Sequence, residues 1–311
     1  MKFTGLRCKK RERAMPLSPS PIYLDDAQLA LFAPLARKNG VEPIRRRKKI
    51  IAFGWYGGKY SHLDWLLPLL PLCHHYCEPF GGSAAVLLNR EPCSVETYND
   101  IDGEVASFFR VLREQGEDLI KAIGLTPFSR EEFFIACSTN GHKISELERA
   151  RRFFIRARQV RTGLAQTASV GRWANCKDTS RAGMSGVVSR WLGSVNTLPA
   201  IVERFLRVQI ENRPAIEVIR LYDGRNTLFY CDPPYPHSSR TDDKAYGTEM
   251  TDQEHRDLAA VLHRAKGKVA ISGYRCELMD TLYRDFKRHD AMSKMCHSVK
   301  KPRREALWVN Y

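Results

Sequence analysis

The chain has 311 residues, 43% of them hydrophobic, and 50 Lys+Arg against 35 Asp+Glu give a formal charge of +15. This composition excludes collagen-like and disordered classes, and at roughly 150 residues per domain it predicts one large domain or one core carrying a sizeable insertion. The basic excess, without an apolar run long enough to span a bilayer, points to a polyanionic partner, most simply nucleic acid.

In chain order, residues 1–48 lack a sustained apolar period, carry Ser18-Pro19-Ser20-Pro21 and close on Arg45, Arg46, Arg47 and Lys48, with Lys49 next. They read as a basic, partly ordered N-terminal arm, or equally as a solubilising tail. No apolar signal-peptide run precedes Pro16, Pro19 and Pro21, so the chain is expected in the cytoplasm. The apolar stretch 65–73 is short and broken by Pro68 and Pro71, which argues against a membrane span.

From residue 50 short apolar runs alternate with amphipathic segments, the pattern of an α/β sheet. Strands are expected at 76–79, 95–98, 208–210, 227–231, 269–272 and 307–309, most of them side by side. Helices are expected at 104–114, 146–158, 216–222, 252–265 and 277–286. Thr251 is the expected N-cap of the helix at 252, and Gly267 its stop.

About 105 residues separate the second and third strands, too many for one crossover, which predicts an inserted region. Residues 149–190 of it hold Arg149, Arg151, Arg152, Arg156, Arg158, Arg161, Arg172, Lys177, Arg181 and Arg190 against the single acid Asp178. A solvated arginine face would normally interleave acids. This stretch instead mixes charge with Phe153, Phe154, Trp173, Trp191 and several glycines, which favours a nucleic-acid surface. The nine cysteines read as reduced thiols. Cys73, His74, His75 and Cys77 lack a second ligand pair nearby, so no metal is expected.

Three constellations carry chemistry. Tyr230-Cys231-Asp232-Pro233-Pro234-Tyr235 stands where an apolar strand ends, and its prolines stop the ladder because neither donates a backbone hydrogen bond. The Asp232 carboxylate and a carbonyl of the Pro233-Pro234 turn suit an exocyclic amine on a flat heterocycle, with Tyr235 stacking on the ring. Two such acceptors localise the nitrogen lone pair for attack. A structural Pro-Pro turn with a capping Asp is the plainer alternative. Glu78-Pro79-Phe80-Gly81-Gly82-Ser83 runs from a strand end through paired glycines into a helix start, and Asp100 follows about 20 residues on, where a carboxylate can accept ribose hydroxyls. Phe53-Gly54-Trp55-Tyr56-Gly57-Gly58-Lys59 offers rings for a purine or a sulfonium and a lysine for a carboxylate.

In this order the segments resemble the Dam-like DNA adenine-N6 methyltransferases, the D12 class, of phage and restriction-modification type. Trp55-Tyr56-Gly57-Gly58-Lys59 is similar to the family's aromatic-x-Gly-Gly-Lys motif, Glu78 to Ser83 to its cofactor loop, Asn99-Asp100 to its Asn-Asp segment and Asp232-Pro233-Pro234-Tyr235 to its catalytic motif. Ser185 to Leu192 and Glu305 to Tyr311 also look like stretches of such members.

The resemblance implies a Rossmann-like α/β sheet dependent on S-adenosylmethionine, with an inserted, mainly helical target-recognition region. The chain is expected to divide into the arm (1–48), which has no counterpart in the compact members of that family, a catalytic core (49–104 and 226–311) and the insertion (105–225). The resemblance implies catalysis by Asp232, Pro233, Pro234 and Tyr235. Cofactor contacts are implied from Trp55, Tyr56, Gly57, Gly58, Lys59, Glu78, Phe80, Gly82, Ser83, Asp100 and Asp232. DNA contacts are expected from Arg156, Arg158, Arg161, Arg172, Arg181, Arg190 and Arg240. The expected activity is methylation of adenine N6 in a specific double-stranded DNA sequence after base flipping. Loop 236–250 is expected to close over the flipped nucleotide. The expected partners are double-stranded DNA and a cognate restriction endonuclease, with the enzyme on the nucleoid when bound. An RNA adenine methyltransferase and a non-catalytic DNA-binding protein on the same fold are the alternatives.

Overall fold

The computed structural model describes residues 49–138, 143–239, 249–291 and 304–311, so the expected arm over 1–48 lies outside the described residues. Helix α1 (Leu63–Leu66) precedes strand β1 (His75–Glu78), and α2 (Ala85–Asn89) leads from it to β2 (Val95–Asn99). Every β1 residue is buried, as a parallel strand covered on both faces requires.

Four helices follow: α3 (Gly103–Glu114), α4 (Gly116–Gly124), α5 (Arg130–Cys137) and α6 (Glu146–Gln159). A small hairpin of β3 (Ser180–Arg181) and β4 (Met184–Ser185) precedes α7 (Gly186–Val195) and α8 (Leu198–Phe205). The chain then re-enters the sheet through β5 (Gln209–Glu211), α9 (Ala215–Tyr222) and β6 (Thr227–Cys231). It finishes with α10 (Asp252–Arg264), β7 (Lys268–Tyr274), α11 (Glu277–Leu282), β8 (Lys287–Asp290) and β9 (Glu305–Val309).

The seven sheet strands lie in the order β5-β2-β1-β6-β7-β9-β8. The first five run parallel, and β9 runs antiparallel to both neighbours. This is the mixed, Rossmann-like α/β sheet expected. From β1 the chain moves outward through β2 to β5, then returns to the other side of β1 as β6. The order therefore reverses between β1 and β6, and the crevice beyond their carboxyl ends is where such sheets bind ligands.

The intervening helices share the core of the sheet. Phe53 meets Phe153 of α6 at 5.0 Å between centroids and Phe108 of α3 at 5.5 Å, and Phe109 stacks on Phe205 of α8 at 4.3 Å. A buried ion pair ties α8 to β2, with Arg204 Nη2 donating to Glu96 Oε1 at 2.6 Å. The opposite face of the sheet is packed by Val218, Ile219, Leu258, Leu262 and Trp308. β5 and α9 thus belong to the sheet layers, although both are numbered within the segment 105–225.

Strand β6 covers the residues expected, and the others differ at their ends. β8 was not expected, because Lys-Arg-His-Asp has no apolar alternation; it is the charged, largely exposed strand that blunts a sheet edge. The helix expected to 286 stops at Leu282, where Tyr283 leaves helical geometry (φ −115, ψ 30) and buries its ring near Trp308. Thr251 caps α10 as expected: its hydroxyl accepts from Glu254 N at 3.2 Å while Glu254 accepts from Thr251 N at 2.7 Å. At Gly267 an added Cβ would lie 2.7 Å from the Thr227 carbonyl oxygen, so the chain turns there against β6. Thr251→Ala should cost about 1 kcal/mol of unfolding free energy, measured by denaturant titration, because it removes one half of this reciprocal cap.

Candidate active site

The first motif is located by the helix that follows it far along the chain. Arg158 of α6 donates Nε to the Ala52 carbonyl and Nη2 to that of Ile51, each at 2.8 Å, which holds the bent segment that leads to Trp55. The turn closes with Gly58 N on the Trp55 carbonyl at 3.0 Å, and Gly57 takes φ +73, a value that favours glycine. Lys59 is thereby turned inward and is 3% exposed. Its Nζ donates to the Gly57 carbonyl at 2.6 Å and pairs with both carboxylate oxygens of Asp232 at 2.7 Å.

The loop after β1 is built on close approaches. A Cβ on Gly81 would sit 2.1 Å from the Tyr98 ring, and one on Gly82, at φ +49, would sit 2.6 Å from the Trp55 ring. The Tyr98 hydroxyl donates to the Gly82 carbonyl at 2.6 Å. Asn99 staples the same loop by accepting Gly81 N on its backbone carbonyl and donating Nδ2 to the Pro79 carbonyl, both at 2.8 Å. Asp100 completes it, accepting Gly82 N on Oδ2 at 2.7 Å and Asp102 N on Oδ1 at 2.8 Å. Asp102 in turn caps α3 through Glu104 N.

Burial governs the carboxyl groups here. It lifts Asp100 to about 6 although two backbone N–H groups oppose the shift. It lifts Glu78 to about 8, against the Tyr76 hydroxyl that donates to it at 2.6 Å. Asp232 is also raised by burial, with Lys59 pulling it back down.

These groups line one cleft that is open to solvent at its mouth. Trp55, Tyr56, Gly57, Gly58, Lys59, Glu78, Phe80, Gly82, Ser83, Asp100 and Asp232 all line it, so the structure brings together every position expected to hold a cofactor. Gly81, Ile101, Tyr230 and Met250 line it too and were not expected. Gly81 was legible as half of a Gly-Gly pair and Tyr230 as the first residue of the constellation around Asp232, while Ile101 directly follows Asp100 and Met250 ends the loop 236–250; none of the four was read as a cofactor contact.

The catalytic motif divides. Asp232 and Pro234 line the cleft, whereas Pro233 and Tyr235 are buried beside it. Tyr235 was expected to stack on a ligand ring, but only 2% of it is exposed and its hydroxyl, with one hydrogen to share, lies between Asp232 Oδ1 at 3.1 Å and Glu305. Its ring packs edge-on against Tyr274 at 4.8 Å and lies under Lys59 at 5.0 Å. Here it orients the carboxylate from behind. Glu305, on β9, is the residue that sequence reasoning missed.

The arginines expected at DNA fall into two groups. Arg156 pairs with Glu104 and donates to the Ala136 carbonyl at 2.8 Å, and Arg158 is held by the carbonyls described above, its burial lowering the guanidinium to about 10. Both are tied into the protein's own frame. Arg161, Arg172, Arg181 and Arg190 are exposed, with Arg181 on the β3–β4 hairpin whose tip, Ala182 and Gly183, takes positive φ at both residues. Arg240 and most of the loop 236–250 lie outside the described residues. Among the described residues no group of three or more His, Cys, Asp or Glu is placed to hold a metal, and no helix is long and apolar enough to cross a membrane.

The family model of the D12 class N6 adenine-specific DNA methyltransferases matches residues 55–295, from the first cleft turn to beyond β8. Among curated proteins, none matches the chain.

Asp100 gives a pH signature. Between about pH 4 and 6 the native state holds a proton that the unfolded chain has released, so this group's contribution to stability is present below pH 4 and lost as pH rises through about 6. The difference in unfolding free energy between wild type and Asp100→Asn, measured by denaturant titration from pH 4 to 7, should fall with rising pH; a flat difference would contradict the buried assignment.

Proposed function

The chain belongs to the D12 class N6 adenine-specific DNA methyltransferases, and within that family we propose that it methylates the adenine N6 amine of a specific double-stranded DNA sequence, using S-adenosylmethionine and flipping the base. The observation that carries this reading is the convergence of Lys59 and Asp232, 173 positions apart, at 2.7 Å in the cleft where the strand order reverses.

The donor set fits the cofactor. Trp55, Tyr56 and Phe80 offer ring faces, Asp100 stands at the place for ribose hydroxyls, and the carboxylates of Asp100 and Asp232 outnumber Lys59, which suits a cation. When bound, S-adenosylmethionine supplies an electrophilic methyl group on a sulfonium. Asp100 holds the ribose through the lone pairs that its two backbone donors leave, so one carboxylate both shapes the glycine loop and orients the ligand.

Asp232 acts on the amine. A carboxylate has about four lone-pair sites; Lys59 uses one on each oxygen and the Tyr235 hydroxyl, shared with Glu305, faces Oδ1, which leaves a site on Oδ2 for an N–H of adenine. That hydrogen bond, with a carbonyl from the Pro233-Pro234 turn, localises the nitrogen lone pair. With the bound cofactor supplying the methyl group to N6, Asp232 would take up the surplus proton of the nitrogen and pass it to solvent. Asp232 is 16% exposed at the floor of a crevice, and an amine paired inside a duplex has no path to it, so the base leaves the helix first.

The exposed arginines 161, 172, 181 and 190 supply the phosphate contacts, and recognition belongs to the helical segment that carries them. The D12 class favours DNA over RNA as substrate, and the intact assembly of Lys59, Asp100, Asp232 and Tyr235 favours turnover over a purely binding role.

Two experiments test this. Labelled methyl transfer to duplex DNA should fall by about a hundredfold or more in Asp232→Ala, with cofactor binding retained in equilibrium dialysis; full transfer by the variant would overturn the mechanism. Arg172→Ala and Arg181→Ala should each reduce the salt slope of DNA binding by about 1, whereas Arg158→Ala should lower the unfolding midpoint, since its partners are the protein's own carbonyls.

A further inference from the structure

Strand β9 carries an acid where its pattern calls for an apolar residue. Ala306, Leu307, Trp308 and Val309 are all buried, and Glu305, first in the strand and paired in register with Tyr274 of β7, is buried with them at 5% exposure. A buried carboxylate is costly unless it is paired. Its partners are the two groups that also hold Asp232: the Tyr235 hydroxyl donates to Glu305, and Lys59 Nζ lies 3.4 Å from Glu305 Oε1. Tyr230 of β6 also faces this cluster, with its hydroxyl on Ser272 at 2.8 Å. Asp232 alone would suffice to neutralise Lys59, so a second carboxylate leaves the cluster with a surplus of negative charge.

We propose that Glu305 is a positioning residue for methyl transfer, which shares Lys59 and Tyr235 with Asp232 and so keeps Asp232 able to accept the substrate amine. The inference rests on the functional reading above. Lys59 against two carboxylates is one positive charge against two negative ones. When the amine nitrogen bonds to the methyl carbon it becomes positive, and the surplus offsets that charge without rearrangement of the site. With Gln at 305 the cluster starts neutral, Lys59 turns wholly to Asp232, and both the acceptor site and the compensating charge are lost. Cofactor binding is unaffected, because Glu305 stands behind Lys59 and Asp232 and does not line the cleft.

The test is Glu305→Gln in the full chain, with single-turnover transfer of labelled methyl from S-adenosylmethionine to duplex DNA, cofactor affinity by equilibrium dialysis, and thermal unfolding. The transfer rate should fall about 10- to 100-fold, with cofactor affinity within about threefold and little change in unfolding midpoint. Since Glu305 acts through Tyr235 and Lys59, adding Glu305→Gln to Tyr235→Phe should cost less than it costs the wild type. A wild-type rate in Glu305→Gln, or losses of rate, affinity and unfolding midpoint that move together, would overturn the role. So would strictly multiplicative effects in the double variant. A wild-type chain that transfers no methyl group would overturn the functional reading itself, whereas an active wild type beside an unimpaired Glu305→Gln overturns the role of Glu305 alone.

Discussion

The ion pair between Lys59 and Asp232 is the constraint on which the rest of the structure depends. Its two ends arrive from opposite parts of the chain, one on a glycine turn and the other at the end of β6, and both are largely removed from solvent. Such a pair gains from its geometry only if its surroundings hold it and satisfy the remaining lone pairs and protons. Tyr235 and Glu305 do this from behind, Gly57 from the side, and the cleft leaves one face of Asp232 open. Chemistry at this point thus follows from where the sheet reverses its strand order, since only there do the ends of β1 and β6 open side by side.

The helical segment serves this site mechanically. Arg158 on α6 grips the backbone at residues 51 and 52, and Phe153 on the same helix packs on Phe53, two residues before Trp55. The first motif is therefore carried partly by the helices and partly by the sheet.

Much of the site was legible in the sequence because its chemistry uses residues with little freedom to be replaced. Gly82 must take a left-handed conformation, Asp100 must receive backbone donors, and Asp232-Pro233-Pro234 ends a strand in one way only. What the sequence hid is where burial decides a role. Arg158 reads like its neighbours Arg156 and Arg161 along a basic helix, yet it points at carbonyls within the protein, because a helical period gives the face of a residue and not what packs on it. Glu305 stood outside the expected strand, at the start of a family-like stretch, and Tyr235 looked like a ring for stacking; only the antiparallel placement of β9 beside β7 brings the two together. β8 was missed for a related reason, since a charged edge strand has no core face to impose alternation.

The most direct measurement of the central claim is a crystal structure of the chain with duplex DNA and the demethylated cofactor product. The account predicts one adenine outside the helix with its N6 about 3 Å from Asp232 Oδ2, the product sulfur on the other side of that nitrogen, and the adenosine ribose on Asp100. An adenine still stacked in the duplex, or a product lodged away from the Lys59–Asp232 pair, would contradict it.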